Sequence, residues 1–269
     1  MRADLVPDDL WERVAPLLPP SPERRRRYRG RLRVPDRAAL GGVMYVLRTG
    51  VAWRDVPAET AGCSGVTAWR RLRDWTEAGV WPSLHAALLA ELRRAGLLDP
   101  DDCSVDGSHI RALKRGDHVG PSPVDRARPG SKHHLIVDRH GTPLAVTLTG
   151  GNRHDVTQLL PLLDAVPPIR GRRGRPRRKP RRLYADRGYD FDEYRRLLRK
   201  RGIKPLIARR GVAHGSGLGK VRWVVERAFA WLHQFKRLRI RYERRADLHQ
   251  GLLELACSLI CLRRLRTAS

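Results

Sequence analysis

Residues 170–182 read R-G-R-R-G-R-P-R-R-K-P-R-R, nine bases with no acid. Such a tract cannot collapse, because its like charges repel and it has no apolar surface to bury. Ile169 and Leu183 are its nearest apolar anchors. Any core must therefore be assembled from the chain on either side, and residues 169–182 are expected to form a solvated basic loop.

The excess of base extends to the whole chain. Its 269 residues carry 55 Lys and Arg against 28 Asp and Glu, a net charge of +27. That balance disfavours an enzyme working in isolation on small neutral substrates and points to a polyanionic partner. Of the bases, 48 are Arg and 7 Lys. Forked guanidinium hydrogen bonds suit phosphate and guanine. A GC-rich genome also favours arginine codons, but that does not explain the shortage of acids. Residues 1–100 hold 17 bases and 12 acids, and residues 101–269 hold 38 and 16. The contrast suggests two functional parts, 1–98 and 99–269. In the basic tract, Arg175, Arg177 and Arg178 are candidate phosphate contacts. A minor-groove hook built on R-G-R-P-R is the competing reading.

The four cysteines (Cys63, Cys103, Cys257, Cys261) form no CxxC pair and no zinc-like spacing. A reduced, cytoplasmic protein without structural zinc is expected. No signal peptide is visible, and no apolar run reaches the roughly 18 residues of a membrane span.

The first part reads as helices. Pro7-Asp8-Asp9 precedes an apolar stripe of Leu10, Trp11, Val14, Leu17 and Leu18 that Pro19-Pro20 stops. Arg24 to Arg33 is a basic connector. Asp36 opens a second helix that ends at Gly50. After a turn at Gly62 to Gly65, Thr67 to Ala78 places Trp69, Leu72 and Trp75 on one side and Arg70, Arg71 and Arg73 largely on the other. This is a helix-turn-helix pattern with three arginines able to reach DNA. A small helical bundle with a solvated basic face fits the same residues.

The second part alternates. Ser104 to Asp106 reads as the end of a short strand. His133 to Asp138 and Leu144 to Thr149 form a hairpin around Arg139 to Thr142. Helices are expected over 159–166, 189–201, 221–237 and 248–265, with strands over 182–186 and 204–208. The order predicts an α/β domain, a mixed sheet flanked by helices, behind an all-α N-terminal domain.

Acids are scarce here, so each one is informative. Between Tyr194 and Tyr242 there is a single carboxylate, Glu226. Arg222, Glu226, His233 and Arg237 share one stripe of its helix, so Glu226 is either half of an Arg222–Glu226 helix pair or a functional acid. Asp106 and Asp186 each follow a short apolar run and have a glycine within two residues. Acids at strand ends face the crevice where α/β sheets bind ligands. Three carboxylates from separate elements can hold two divalent ions for an in-line phosphoryl transfer, and magnesium favours such oxygen ligands. His109 and His154-Asp155 lie where they could approach this centre. Trp223 and Trp231 are read as helix packing or as base-stacking surfaces.

Three motifs carry a resemblance: V-D-G-S-H-I-R-A (Val105 to Ala112), Y-A-D-R-G-Y-D (Tyr184 to Asp190) and R-W-V-V-E-R-A-F-A-W-L (Arg222 to Leu232). With Leu10-Trp11 and Val46 to Pro57, the chain resembles a DDE transposase of bacterial insertion sequences, of the insertion-sequence-five type, over nearly its whole length. The resemblance implies a ribonuclease-H-like catalytic domain and a catalytic, metal-binding triad of Asp106, Asp186 and Glu226. It also implies two Mg2+ or Mn2+ ions, and Arg222 as a DNA contact. Double-stranded DNA, as element ends and target, is the implied partner, with a homo-oligomer assembled on it, in a bacterial cytoplasm and on the nucleoid when bound. Where related sequences carry a Tyr before Arg222 and a Lys or Arg after Glu226, this chain has Gly219 and His233. A catalytically inactive DNA-binding protein derived from a transposase is the alternative.

Overall fold

Asp8 and Asp9 occupy the first turn of the first helix, where unpaired amides favour acids. This helix, α1 (Asp8–Val14), continues as a 3-10 turn over Ala15–Leu17. The computed structural model describes residues 5–21, 32–211, 217 and 219–268, so residues 24–31 of the basic connector lie outside the described residues. α2 (Asp36–Thr49) ends where expected: Gly50 adopts φ 77°, a left-handed conformation that lets its N–H close the last turn on Val46. α3 (Ala58–Ala61) is a single turn, and Ser64 then caps α4 (Gly65–Glu77) by accepting from the Thr67 amide. α5 (Val80–Arg94) completes the helical part and had no counterpart in the sequence reading.

The chain then enters the sheet through β1 (Asp102–Ala112), β2 (Gly120–Pro121), β3 (Pro129–Val137) and β4 (Pro143–Gly150). After α6 (Leu159–Asp164) come β5 (Arg182–Ala185), α7 (Asp192–Lys200) and β6 (Lys204–Ile207). α8 (Gly219–Leu232), β7 (Ile240–Arg241) and α9 (Ala246–Arg266) close the chain. The main path across the sheet is β4–β3–β1–β5–β6, with the short β2 and β7 at its margins. β3 pairs antiparallel with both β4 and β1, whereas β5 and β6 run parallel to β1. This is the helix-flanked mixed sheet expected from the order of strands and helices.

Two boundaries differ most from expectation. β1 does not end at Asp106; it continues to Ala112, because β3 supplies partners from Val137 opposite Ser104 to Gly130 opposite Arg111. The polar run after Asp106 carries no strand periodicity of its own. α8 stops at Leu232 rather than Arg237, so Arg237 leaves the Arg222–Glu226 stripe. Its guanidinium is buried against Glu243, 2.6 Å away, and it donates to the Val51 carbonyl beyond α2 at 3.0 Å.

α9 is buried on nearly every face, which is why its sequence lacks a polar stripe. α4 and α5 pack on it from the helical part, and β4 of the sheet and the helix α8 from the second part. One apolar cluster therefore includes Leu40, Trp75 and Trp81 together with Val105, Leu135 and Leu252. The core runs without interruption across residue 98. All four cysteines are buried and unpaired. Among the described residues, no helix is long and apolar enough to cross a membrane.

Candidate active site

β1 and β5 pair in parallel with a constant offset: Asp102 faces Arg182, Cys103 faces Leu183 and Ser104 faces Tyr184. Carried forward, the same register sets Asp106 abreast of Asp186. Asp106 lies within β1, and Asp186 is the first residue beyond β5. Each aspartate is oriented by a local amide. The Gly107 N–H donates to Asp106 Oδ1 and the Gly188 N–H to Asp186 Oδ1, both at 2.8 Å.

Glu226 reaches the pair through one guanidinium. Arg222 donates from Nη1 to Asp106 Oδ2 at 2.9 Å and from Nη2 to Glu226 Oε1 at 2.7 Å. The helix pair read from sequence is thus real, and it also spans to β1. Burial pushes the Asp106 carboxyl up to about 6; the Gly107 amide and Arg222 oppose this, and the charge of Asp186 adds to it. Glu226 stays largely exposed, its side chain 59% accessible. Among the described residues, no three acidic, histidine or cysteine side chains are grouped closely enough to hold a metal ion.

Sequence comparison decides the family. A model described as "Transposase DDE domain" matches residues 98–261, and an IS4/5-family transposase model matches residues 6–85. The chain belongs to the DDE transposases. It is 66% identical over 150 residues to "Putative transposase for insertion sequence element IS402" of Burkholderia cepacia, covering 56% of this chain and 71% of that protein. It is 29% identical over 154 residues to the transposase for insertion sequence element IS1106 of Neisseria meningitidis serogroup B, covering 52% and 48%. A solved Mos1 strand transfer complex overlaps 90% of this chain and 79% of its own, at 12% identity and a TM-score of 0.34.

Other residues of the transposase surround the carboxylates. Tyr189 is buried, and burial together with Asp155, Asp106 and Asp186 pushes its phenol well above the usual range, so it remains a donor. Its position in Y-A-D-R-G-Y-D, three residues after Asp186, was the available signal. Asp155 accepts from Lys132 Nζ at 3.0 Å, and Lys132 also donates to the Arg153 carbonyl at 2.8 Å. Asp155 Oδ1 lies 2.7 Å from where a Cβ on Gly107 would stand. Asp155 thus reaches the residue next to Asp106 and acts on the buried Tyr189, whereas His154 turns edge-on to Phe191 at 5.4 Å. Strand alternation puts His109 on the face opposite Asp106, in line with its hydrogen bond to Ser122 at 3.3 Å. His233 lies just past α8, its N–H closing the last turn on the Phe229 carbonyl at 2.9 Å.

The expected DNA-contacting arginines divide into two groups. Arg70, Arg175 and Arg178 are exposed. Arg71 is held by Asp36 at 3.0 Å with its side chain only 13% accessible. Arg73 pairs with Asp74 at 2.7 Å and lies 5.7 Å over Trp69. Arg177 pairs with Asp101, and its backbone bridges to Ile169. The basic tract is therefore pinned at Arg177, and Arg175 and Arg178 on either side of it are presented to solvent.

Proposed function

We propose that this transposase binds the terminal inverted repeats of its insertion sequence, hydrolyses one phosphodiester bond at each end and joins the released 3′-hydroxyl to target DNA. The observation that carries the reading is the register that sets Asp106 beside Asp186, with Glu226 tied to Asp106 by Arg222. Asp106, Asp186 and Glu226 would hold the divalent cations. The chemistry of the donor set fits, since it offers only carboxylate oxygens, the ligands magnesium and manganese prefer, and Asp106 is desolvated with Arg222 as countercharge; holding ions would require the exposed Glu226 to draw in toward the aspartates. When bound, two such ions activate the attacking oxygen and stabilise the leaving oxygen of an in-line displacement.

The chain's own groups supply the rest. Arg222 holds Asp106 and Glu226 in reach of one another and can turn to a scissile phosphate when cations take the carboxylates. Tyr189 keeps its proton and can donate toward the aspartates. No covalent enzyme–DNA step is required, since cleavage and joining are both displacements at phosphorus. Arg70 on α4 and Arg175 and Arg178 on the tract contribute duplex contacts, the first toward base edges and the others toward phosphate.

The test is strand cleavage on duplexes carrying the element's ends, identified from short inverted repeats flanking the gene. Asp106→Ala, Asp186→Ala and Glu226→Ala should each abolish cleavage while end binding persists. A Glu226→Ala protein that cleaves at the wild-type rate removes that residue from the centre. Wild-type protein that binds ends but never cleaves with Mg2+ or Mn2+ marks an inactive DNA-binding relative.

A further inference from the structure

α8 carries a second constellation, one residue out of phase with Arg222 and Glu226. The Arg227 guanidinium lies 4.4 Å from the ring centre of Trp223 and 4.9 Å from that of Trp231, so the three side chains form a ladder at four-residue spacing. Arg227 also donates to the His140 carbonyl at 2.6 Å, which fixes the ladder against the β3–β4 turn. The outer rung, Trp223, is 47% exposed, a large apolar surface left open on a helix of the catalytic part.

That rung opens into a cavity of about 430 Å³, whose walls include Arg139, Arg182 and Arg227. A second cavity of about 630 Å³, bounded by Trp231, Arg263 and Arg264, shares His140 and Arg227 with the first. The two adjoin at the Arg227–His140 contact and together line a trough along the outside of α8. Asp102 is the one carboxylate among the described lining residues, and it is already paired with Arg182 and lies 3.6 Å from Arg139. The trough is thus cationic with aromatic surface interleaved. Asp102 precedes Asp106 by four residues on β1, so the trough opens about 13 Å along the strand from the catalytic carboxylates.

We propose that this trough holds a single, unpaired DNA strand leaving the active site, with a base stacked on Trp223 and phosphates on Arg139 and the neighbouring arginines. The face of an indole can stack on a base only when that base is out of the duplex, because paired bases already stack on each other. Guanidinium groups flanking the indole supply backbone neutralisation without selecting a sequence. The inference takes the nature of the strand from the proposed DNA cleavage, but its test does not depend on catalysis.

The test measures binding by full-length protein of a labelled oligothymidylate about ten nucleotides long, an abasic oligonucleotide of equal length and charge, and a duplex. Stacking should make the abasic strand bind weaker by roughly 5- to 150-fold. Trp223→Ala should erase that difference and leave duplex affinity unchanged. Equal affinity for the two single strands overturns the proposal, as expected if the trough takes phosphate or an acidic protein without regard to bases. A Trp223→Ala protein weakened alike for single strand and duplex also overturns it. If that variant does not fold, the abasic comparison on wild-type protein decides alone. Single-strand binding with base preference but no duplex binding keeps the trough and sinks end recognition. Duplex binding without base preference does the reverse, and binding to neither sinks both.

Discussion

Gly107 sits between two carboxylates with different duties. Its amide orients Asp106, and the place of its missing side chain is taken by Asp155. Asp155 is in turn held by the buried Lys132, so the contact cannot easily relax. Gly107→Ala should therefore cost about 1–3 kcal/mol through overpacking. The cost should shrink when Asp155→Ala is already present, although Asp155→Ala is itself destabilising because it leaves a buried ammonium unpaired. Urea unfolding of the two single variants and the double variant measures the coupling. An equal cost of Gly107→Ala in both backgrounds would show that the close approach is not what requires glycine.

The basic tract behaves as an element with two kinds of arginine. Arg177 is tied to Asp101 and Arg182 to Asp102, which anchors the loop to the start of β1. Arg175 and Arg178 stay exposed. Replacing Arg175 and Arg178 with Ala should weaken binding to A·T-rich and mixed duplexes by a similar factor. Each lost contact should flatten the slope of log K against log salt by about 0.9. A loss confined to A·T-rich DNA, with the slope unchanged, would favour the minor-groove reading instead. Among the helices, α4 shows the same division: Arg70 faces solvent while Arg71 ties α4 to Asp36 at the start of α2.

Across the whole molecule, polar groups are buried where the helical part meets the sheet. Arg237 joins the Val51 carbonyl to Glu243; Glu243 accepts from His249 Nδ1 at 3.2 Å; and His249 meets His133 across 2.9 Å. If His249 donates from Nδ1, its Nε2 must accept from His133 Nε2–H, which leaves His133 Nδ1 without a proton, in keeping with its having no acceptor nearby. Burial also lowers His85, which contacts the Pro143 carbonyl at 2.9 Å, and His134, each to about 4. These histidines are neutral in the fold. Below about pH 6.5 the unfolded chain binds protons that the native state refuses, so stability falls as pH falls from about 6.5 toward 4. Each such group contributes a slope of roughly 1.4 kcal/mol per pH unit within that window. Urea midpoints at neutral pH and near pH 5 check this; a flat profile would mean that these rings charge without penalty.

Much of this protein was written locally. Apolar spacing marked α1, α2, α4 and the β3–β4 hairpin, and Gly50 marked a helix end, because these depend on neighbours within a few residues. The three carboxylates stood out because a strongly basic chain keeps few acids in its second part. Pairing between distant segments was not legible in the same way. The length of β1 follows from β3, and the abreast placement of Asp106 and Asp186 follows from strand register. That Arg222 spans from Glu226 to a residue 116 positions away is likewise a tertiary choice. So is the fate of individual arginines: composition counts 48 of them, but only packing decides that Arg71, Arg177 and Arg237 are held by carboxylates while Arg70, Arg175 and Arg178 face solvent. Periodicity is a property of the chain's own geometry, whereas register and ion-pair partners are settled only when separate elements compete for the same buried space.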